Sequence, residues 1–391
     1  MIERTLFDAD HESFRDSFRR FLEKEVAPLH EQWEEQGYID RELWNKAGAN
    51  GFLCMSIPEA YGGAGASRLF SVVQMEEIAR AGFTGLVGVT LHSEIVANYI
   101  LNYGTEAQKL KYLPRMASAE MVGAIAMSEP GAGSDLQGLK TTAIRHSDAS
   151  GDCYLLNGSK TFITNGWHAD LVVVVAKTKP AAGAKGTSLL LVERGMPGFE
   201  KGKRLKKLGM KAQDTSELFF NNVRVPVENL LGGEAQENQG FICLMQELQW
   251  ERMQLAISAV AASQAAIDWT VAYVKERKVF GQAISSYQNT RYTLAELQTQ
   301  VQIAQVFVDK CLEELTKNKL DVATASMAKY WCSDLQCKVM DECVQLFGGY
   351  GYMWEYPITR AYADARPQRI YGGTNEIMKE LISRSMGLSA K

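Results

Sequence analysis

The sequence predicts a multidomain α+β protein in which a helical region comes first, a small β region follows, and helices return. The chain has 391 residues, which is enough for two or three domains with sizeable cores. Apolar residues recur at helical spacing at both ends of the chain, whereas the middle carries β-rich runs bounded by turn residues. We therefore expect domains over residues 1–120, 121–235 and 236–391.

The N-terminal region is predicted to be helical because its apolar residues share one face. Charged residues occupy the opposite face. The aromatic and aliphatic side chains of this face are Phe14, Phe18, Phe21 and Leu22. Pro28 is expected to mark a helix end. Further helices are predicted over residues 70–81 and 93–103.

In the middle region, the apolar residues no longer recur at helical spacing. Runs rich in β-branched and aromatic residues occur at 171–178, 188–193 and 217–225. Residues 148–151 and the pair Asn157-Gly158 are typical of hairpin turns. From about residue 236 onward the pattern is helical again. Long amphipathic stretches joined by short connections indicate a helix bundle, at 241–277, 288–316 and 321–346.

Composition and charge exclude several classes of protein. The formal net charge is −4, from 42 basic and 46 acidic residues, which argues against nucleic-acid binding. The basic run at 201–211 lacks interleaved aromatic residues, so we expect a solvated face or a linker there. No apolar run approaches the ~20 residues of a membrane helix, and no membrane span is expected. The first ten residues are acidic, so we expect a transit peptide to be absent or already removed.

The cysteines and short motifs disfavour a metal, NAD or ATP site. The chain has seven cysteines and no C-x-x-C pair, and an odd count suits reduced thiols. Cys332, Cys337 and Cys343 have no nearby histidine, so we expect small buried residues rather than metal ligands. No G-x-G-x-x-G or Walker sequence is present.

Three segments carry the chemistry. In the first, the turn Tyr371-Gly372-Gly373-Thr374 opens onto a helix-like run, so a ligand can approach free backbone N–H groups closely. The second is the loop at 127–135, which reads MSEPGAGSD and offers N–H groups and the Ser134 hydroxyl to a polar ligand. The third is KTFITNG at 160–166.

Together these segments resemble the acyl-CoA dehydrogenase family, and are closest to its long-chain branch. The resemblance covers residues 6–386, essentially the whole chain. It implies an N-terminal all-α domain, a middle β-barrel-like domain and a C-terminal four-helix bundle. It also implies FAD as cofactor and α,β-dehydrogenation of a fatty acyl-CoA to the trans-2-enoyl-CoA. Such an enzyme removes the α-proton to a base while the β-hydrogen leaves as hydride to flavin N5.

The base of this reaction is a carboxylate in a dry pocket that raises its basicity. Many relatives place it directly after the tyrosine of the C-terminal turn, where this chain has Gly372. The branch that includes long-chain and isovaleryl-CoA dehydrogenases carries it on a C-terminal helix, and Glu251 stands at the matching place. Glu247, one helical turn earlier on the same face, is the second candidate. Without the resemblance, an exposed carboxylate in a surface ion pair would be the preferred interpretation of Glu251.

Gly372 keeps its backbone N–H, and in relatives that group helps to polarise the thioester carbonyl. The missing side chain suggests room for methyl-branched substrates. Arg252 is implied to contact the CoA part, with a helix-surface arginine as the alternative. The positions implied for substrate binding are Ser134, Arg252, Tyr371, Gly372 and Gly373.

FAD contacts are implied at many positions. Phe162 stands where many relatives have Trp, and plain strand core is its alternative interpretation. Arg277 suits the FAD pyrophosphate because its donor fork fits phosphate oxygens. Relatives supply the contacts at Gln288, Gln345, Gly348 and Gly349 across a subunit interface, so we expect a homo-oligomer, usually a tetramer. The remaining positions are Met127, Ser128, Ser134, Ile163, Thr164, Thr374 and Glu376.

The resulting prediction is an FAD-dependent dehydrogenase of medium- to long-chain acyl-CoA in fatty acid β-oxidation. Electron-transferring flavoprotein is the expected electron acceptor. We expect a cytoplasmic location in a bacterium and the mitochondrial matrix in a eukaryote. The alternatives are a short branched-chain (isovaleryl-type) dehydrogenase, a flavin monooxygenase or acyl-CoA oxidase on the same scaffold, and a non-catalytic acyl-CoA- or flavin-binding protein.

Overall fold

The helical N-terminal part comes first in the structure, a computed structural model that describes residues 2–149 and 151–388. Two π-helical turns, Leu22–Val26 and His92–Val96, interrupt the α-helical geometry, so the predicted helix at 93–103 begins as a π-turn. The α-helices are α1 (Ala9–Phe21), α2 (His30–Gln36), α3 (Arg41–Ala49), α4 (Arg68–Ala81), α5 (Val87–Leu91), α6 (Ala97–Tyr103) and α7 (Glu106–Ala117).

Helix α1 begins where Asp8 caps it. The Asp8 carboxylate accepts hydrogen bonds from the backbone N–H groups of Asp10 and His11, at 3.0 and 3.1 Å, and so satisfies donors that the helix itself leaves free. The predicted aromatic face packs inward, with the rings of Phe18 and Phe21 edge-on to Phe52 at centroid distances of 5.0 Å. The amphipathic pattern of this helix is therefore confirmed.

The middle of the chain forms a curled sheet. Its strands are β1 (Gly123–Ala126), β2 (Thr142–Asp148), β3 (Gly151–Thr164), β4 (Leu171–Lys177), β5 (Thr187–Glu193), β6 (Phe199–Arg204) and β7 (Thr215–Pro226). The strand order is β1-β4-β2-β3-β7-β6, and β5 pairs with β4. β1 runs parallel to β4, whereas the long β3–β7 ladder is antiparallel.

Two expectations for this region need correction. Asn157-Gly158 is not a hairpin turn: it lies inside β3, where the pairing with β7 shifts register, and Gly158 has φ +148°. Glycine is needed at this β-bulge because any larger residue would place its Cβ 2.4 Å from the Thr141 Oγ1 atom. The other predicted turn, 148–151, contains residue 150, which lies outside the described residues; Asp148 pairs with Gly151.

The basic run at 201–211 is only partly a solvated face. Its first four residues belong to β6. The Lys201 ammonium donates hydrogen bonds to the carbonyls of Ala169 and Trp167, at 2.6 and 2.8 Å. Burial lowers the pKa of Lys201 to about 8. Some of these lysines therefore hold the sheet together rather than face water.

Helices return after the sheet. The elements are α8 (Gly240–Glu276), β8 (Lys278–Val279), β9 (Gln282–Ala283), α9 (Gln288–Thr316), α10 (Val322–Phe347), α11 (Pro357–Ala365) and α12 (Asn375–Ser385). The cysteines of α10 lie where small core residues were expected, with Cys332 and Cys343 buried in the bundle core. The predicted order of helices, sheet and helices is confirmed.

Helix α8 is the central element of the molecule. Its residues Trp250 and Met253 share one apolar cluster with Val72 of α4 and Val339 of α10, so α8 packs against both helical parts. By length and composition α8 is apolar enough to cross a membrane, since one 18-residue window of it has a mean hydropathy of 1.3, and the expectation of no membrane span stays a prediction. However, 56% of that window is buried inside the protein, and a core helix of a soluble protein meets the same criteria.

Candidate active site

Glu251 lies buried on α8, so the alternative of a surface ion pair is wrong. The Tyr99 hydroxyl of α6 donates a hydrogen bond to Glu251 Oε1 at 3.0 Å. Burial, with a smaller contribution from the charge of Glu247, raises the pKa of Glu251 to about 7, although the Tyr99 hydrogen bond acts in the opposite direction. A carboxyl group with such a pKa is half ionised near neutral pH and can accept a proton there.

Glu247 has a different environment, one turn earlier on α8. Its Oε1 atom accepts hydrogen bonds from the Asn102 amide at 2.8 Å and from the Tyr103 hydroxyl at 2.9 Å. Each of the two carboxyl groups therefore has its own tyrosine partner on α6. Glu247 is therefore held by two donors of α6, whereas Glu251 accepts its hydrogen bond from Tyr99.

The turn at 371–374 adopts a left-handed backbone conformation at its two glycines. Gly372 and Gly373 have φ values of +66° and +90°, in the left-handed region. Thr374 then caps α12, and its Oγ1 accepts a hydrogen bond from the Ile377 N–H at 3.4 Å. Tyr371 is half-buried at the start of this turn.

The turn packs on the face of α8 that carries Glu251. A Cβ atom at Gly372 would lie 2.5 Å from Leu255 Cδ1, and Leu255 follows Glu251 by four residues, which places both on one helix face. The turn and Glu251 thus lie along the same face of α8. The tip of Leu255 borders the position that a side chain at 372 would take, and room for methyl-branched substrates stays a prediction.

Arg252 is buried, with 4% of its surface exposed, and the alternative of a helix-surface arginine is wrong. Its Nη1 atom lies 3.5 Å from the Ser326 Oγ atom of α10, and its Nε–H has no partner among the described residues. Burial lowers the pKa of the guanidinium, with the charge of Glu251 opposing. A buried donor without a partner is suited to a ligand atom.

Three positioning contacts around the turn and the base were not foreseen from the sequence. These are Tyr99 beside Glu251, and Lys329 and Asn375 beneath the turn. Lys329 is fully buried, and its ammonium donates to the Gly373 carbonyl at 2.7 Å and to Asn375 Oδ1 at 2.9 Å. Asn375 follows the turn within the C-terminal segment that carries the resemblance, but its contact with Lys329 depends on tertiary packing and has no sequence pattern of its own.

The loop at 127–135 and the segment at 160–166 lie side by side. The Lys160 ammonium, fully buried on β3, donates to the Met127 carbonyl and to Glu129 Oε1, both at 2.9 Å. The Thr161 N–H donates to the Ser128 carbonyl at 3.0 Å. Burial lowers the pKa of Lys160 to about 8. The two segments that the sequence analysis grouped as flavin contacts are thus held together by a buried ion pair.

Phe162 points away from the sheet core. Its side chain is 70% exposed and its φ is +60°, at a register shift between β3 and β7. Plain strand core is therefore wrong for Phe162, and a strained, exposed aromatic residue is typical of a ligand contact. The Ile163 side chain is buried in the sheet core, so only its backbone remains for a ligand, and Thr164 is half-buried.

A second group of predicted FAD positions meets at the other end of α8. Arg277, Gln345, Gly348 and Gly349 line one cleft of about 590 Å³. The Arg277 guanidinium lies 5.5 Å from the ring centre of Tyr350, and no carboxylate of the described chain pairs with it. Ser134 stands in its exposed loop at 127–135, and Gln288 at the start of α9, Thr374, and Glu376 of α12 belong to neither the cleft nor that loop.

The residues at the two places fit FAD. Exposed Phe162 offers an apolar face to a flavin ring. In both groups the backbone at a glycine is accessible to a ligand, because a Cβ at Gly133 or Gly349 would meet nothing within 4 Å. Arg277 supplies a free donor fork for a pyrophosphate. No residue of 127–135 or 160–166 lines the Arg277 cleft, so within the described chain most of the predicted contacts fall in two separate groups.

Comparison with known proteins gives consistent matches. Family models of the acyl-CoA dehydrogenase N-terminal, middle and C-terminal domains match residues 8–120, 124–223 and 238–387. The mitochondrial long-chain specific acyl-CoA dehydrogenase of Rattus norvegicus is 53% identical over 385 residues, 98% of this chain and 88% of the rat protein.

Solved structures agree with these matches. A crystal structure of acyl-CoA dehydrogenase from Geobacillus kaustophilus has a TM-score of 0.95 at 47% identity and covers 99% of this chain and 100% of its own. An acyl-CoA dehydrogenase from Bacillus anthracis complexed with FAD has a TM-score of 0.89 at 32% identity, covering 97% of this chain and 68% of its own.

The family models and the FAD-bound neighbour define the class of flavin-dependent oxidoreductases that act on acyl thioesters. With family models matching in order along nearly all of its length, the chain belongs to the acyl-CoA dehydrogenase family. It is an enzyme that oxidises acyl-CoA and uses FAD, and its family acts in fatty acid β-oxidation.

Proposed function

We propose that this enzyme oxidises long-chain acyl-CoA to trans-2-enoyl-CoA and that Glu251 removes the α-proton. The observation that carries the proposal is the placement of Glu251 and Leu255 on one face of α8, with Gly372 packed against Leu255. Support also comes from the burial of Glu251 and from its pKa of about 7, which suits a base at neutral pH.

In the proposed mechanism the thioester carbonyl accepts a hydrogen bond from the Gly372 backbone N–H. Negative charge develops on that oxygen as the α-proton leaves, and a fixed donor stabilises the charge. Tyr99 holds the Glu251 carboxylate in place through its 3.0 Å hydrogen bond. Buried surroundings keep water from the carboxylate and so preserve its basicity. Bound FAD supplies the acceptor, at flavin N5, for the β-hydrogen.

The cofactor contacts proposed for this chain belong to two groups. Phe162 and the loop at 127–135 form one, and the cleft around Arg277 and Gln345 forms the other. The separation of the two groups supports a site completed by a second copy of the chain, and we propose a homotetramer. Electron-transferring flavoprotein is the proposed electron acceptor. The printed name of the rat relative supports a long-chain substrate.

Anaerobic mixing with substrate tests the proposed substrate class. The FAD-loaded protein is mixed with palmitoyl-CoA and, separately, with isovaleryl-CoA, and the visible flavin absorbance is followed. Rapid bleaching by palmitoyl-CoA is expected. Bleaching by isovaleryl-CoA alone would move the substrate to short branched acids, and no bleaching by either would favour a non-catalytic protein or a monooxygenase.

The variant Glu251→Gln tests the base. It keeps the size of the side chain and a hydrogen-bond acceptor for Tyr99, but it cannot accept the proton. We expect kcat to fall by about 10³-fold or more while FAD remains bound. Glu247→Gln is the matched control on the same helix face, and it should retain most of the rate. Full activity of Glu251→Gln together with loss in Glu247→Gln would transfer the role to Glu247.

A further inference from the structure

Lys329 of α10 lies directly beneath the glycine turn. The side chain is fully buried, and its two acceptors, the Gly373 carbonyl at 2.7 Å and Asn375 Oδ1 at 2.9 Å, both belong to the turn and the first residue of α12. Burying an ammonium group is costly unless its donors are satisfied. A chain that only needed a stable core would fill this position with an apolar residue, so the lysine calls for an explanation.

Asn375 fixes the geometry of this contact. It is 1% exposed, and its Nδ2 donates to Ser333 Oγ at 3.0 Å and to Asp334 Oδ1 at 2.9 Å. The amide oxygen of Asn375 is thereby directed at Lys329. Three residues of α10, Lys329, Ser333 and Asp334, thus contact the turn and the first residue of α12.

The same face of α10 reaches the helix that carries the base. Ser326 precedes Lys329 by three residues, so the two side chains share a helix face. The Ser326 Oγ atom lies 3.5 Å from Arg252 Nη1, and Arg252 directly follows Glu251. Helix α10 therefore connects the base-bearing helix and the thioester-binding turn, which belong to distant parts of the sequence.

Lys329 and Arg252 also place positive charge at this point. Neither of them forms an ion pair with a carboxylate within 4 Å in residues 2–149 and 151–388. Burial and the charge of Arg252 together lower the pKa of Lys329 to about 8, so the ammonium form persists at neutral pH. Fixed cations in a buried site stabilise negative charge that develops nearby in a transition state.

We propose that Lys329 is a positioning residue that holds the Gly372-Gly373 turn against α8 and keeps a positive charge behind the thioester carbonyl. The inference rests on the proposed role of the Gly372 N–H and of Glu251. Lys329 itself touches neither substrate nor flavin in this proposal. It acts through the Gly373 carbonyl, and through the charge that it adds where the enolate forms.

The test compares K329M with K329R, and uses K338M as the matched control. K329M removes the charge and the donors with little change of volume, whereas K329R keeps the charge. Lys338 lies on the same helix, nine residues further on, and is exposed. For each FAD-loaded variant, kcat and KM with palmitoyl-CoA are measured, together with the rate at which the α-protons of a bound acyl-CoA exchange with D₂O.

We expect K329M to lower kcat and α-proton exchange together by about 10- to 100-fold, since removal of a direct oxyanion donor costs about 10²–10³. KM should change little. K329R should recover part of the loss, and K338M should match the unmodified enzyme. A folded K329M with normal kcat would overturn the proposal, and so would a loss confined to KM or to FAD content.

If K329M does not fold, Asn375→Ser carries the test, because it removes one acceptor of the lysine and leaves the turn itself unchanged. An unchanged kcat in that variant would also overturn the proposal. Failure of the proposed function is separable, because it would appear as normal α-proton exchange in Glu251→Gln. Loss in Glu251→Gln with normal exchange in K329M would remove only the role of Lys329.

Discussion

At the residue scale, the basicity of Glu251 depends on the hydrogen bond that it accepts from the Tyr99 hydroxyl. A carboxyl group buried among apolar side chains is a stronger base than a solvated one, and the hydrogen bond from Tyr99 partly offsets that effect. The balance sets the pKa of Glu251 at about 7. Below that pH the base is protonated, so kcat/KM should fall about tenfold for each further pH unit.

Tyr99→Phe should move this pH dependence upward. The hydroxyl stabilises the ionised form of Glu251, so its removal raises the pKa of the carboxyl group and makes the base harder to ionise. A hydrogen bond to a charged group is worth about 1.5 kcal/mol, which corresponds to about a tenfold loss of kcat/KM at pH 6. The measurement is kcat/KM for palmitoyl-CoA between pH 5.5 and 9.

Tyr103→Phe provides the control for this prediction. Its hydroxyl donates to Glu247 rather than to Glu251, so the pH profile of the variant should keep its midpoint near that of the unmodified enzyme. Equal shifts in the two variants would show that the Tyr99 hydrogen bond does not set the basicity of Glu251.

Motifs in the sequence named Glu251 and Gly372, but not the side chains that serve them. Tyr99 is 152 residues away from Glu251 along the chain, and Lys329 is 44 residues from Gly373. Contacts over such separations depend on how helices pack, and one sequence carries no local pattern for them. Lys160 differs, because it lies inside a segment that the sequence analysis had singled out, and a lysine within a strand of the core is itself a signal.

At the scale of elements, the turn at Gly372 is fitted to α8. Gly372→Ala should be destabilising for two reasons, because its φ of +66° strains any side chain and its Cβ would lie 2.5 Å from Leu255 Cδ1. We expect a fall in Tm and a loss of kcat, with part of both recovered in Gly372→Ala/Leu255→Ala. Thermal unfolding and steady-state kinetics of the two single variants and the double variant measure this coupling.

The variant Gly195→Ala distinguishes the effect of backbone strain from the effect of the contact with Leu255. Gly195 has φ +91° and open space around its Cβ position, so it reports backbone strain without a clash. If Gly372→Ala lost no more stability than Gly195→Ala, the fit to Leu255 would be unimportant.

The elements that the sequence predicted well are the long helices of the C-terminal part. Their amphipathic pattern persists over many turns, and α9 occupies the predicted residues 288–316. The sheet was predicted less completely. β6 was assigned to a basic linker, and Asn157-Gly158 was assigned to a turn because its composition suits both a hairpin and a bulge. Only pairing with β7 distinguishes the two.

At the scale of the whole molecule, several apolar side chains of helices α9 and α10 in the C-terminal part are exposed. Ile303 and Val306 of α9 are 59% and 44% exposed, and Met327 and Trp331 of α10 are 38% and 45% exposed. A group of large apolar residues on a surface is typical of a protein interface. Such a face suits the proposed homo-oligomer, in which a second chain completes the FAD site.

Trp331→Glu should separate the subunits and release FAD in the same step. A charge on this face opposes the burial of apolar surface, and loss of the neighbouring chain would remove the Arg277 group of cofactor contacts. Light scattering coupled to size-exclusion chromatography gives the mass, and the flavin absorbance of the protein peak gives the FAD content. Dissociated chains that still carried a full complement of FAD would contradict the proposed sharing of the site.

The contact between Leu255 and Gly372 has a consequence for how this enzyme diverged from its relatives. A side chain at 372 would meet the tip of Leu255, so a base on the turn requires the Leu255 side chain to turn aside or to be replaced by a smaller one. A change of the base between turn and helix is therefore expected to involve residue 255. Across family members, a side chain at the position of Gly372 should therefore co-occur with a smaller residue at the position of Leu255.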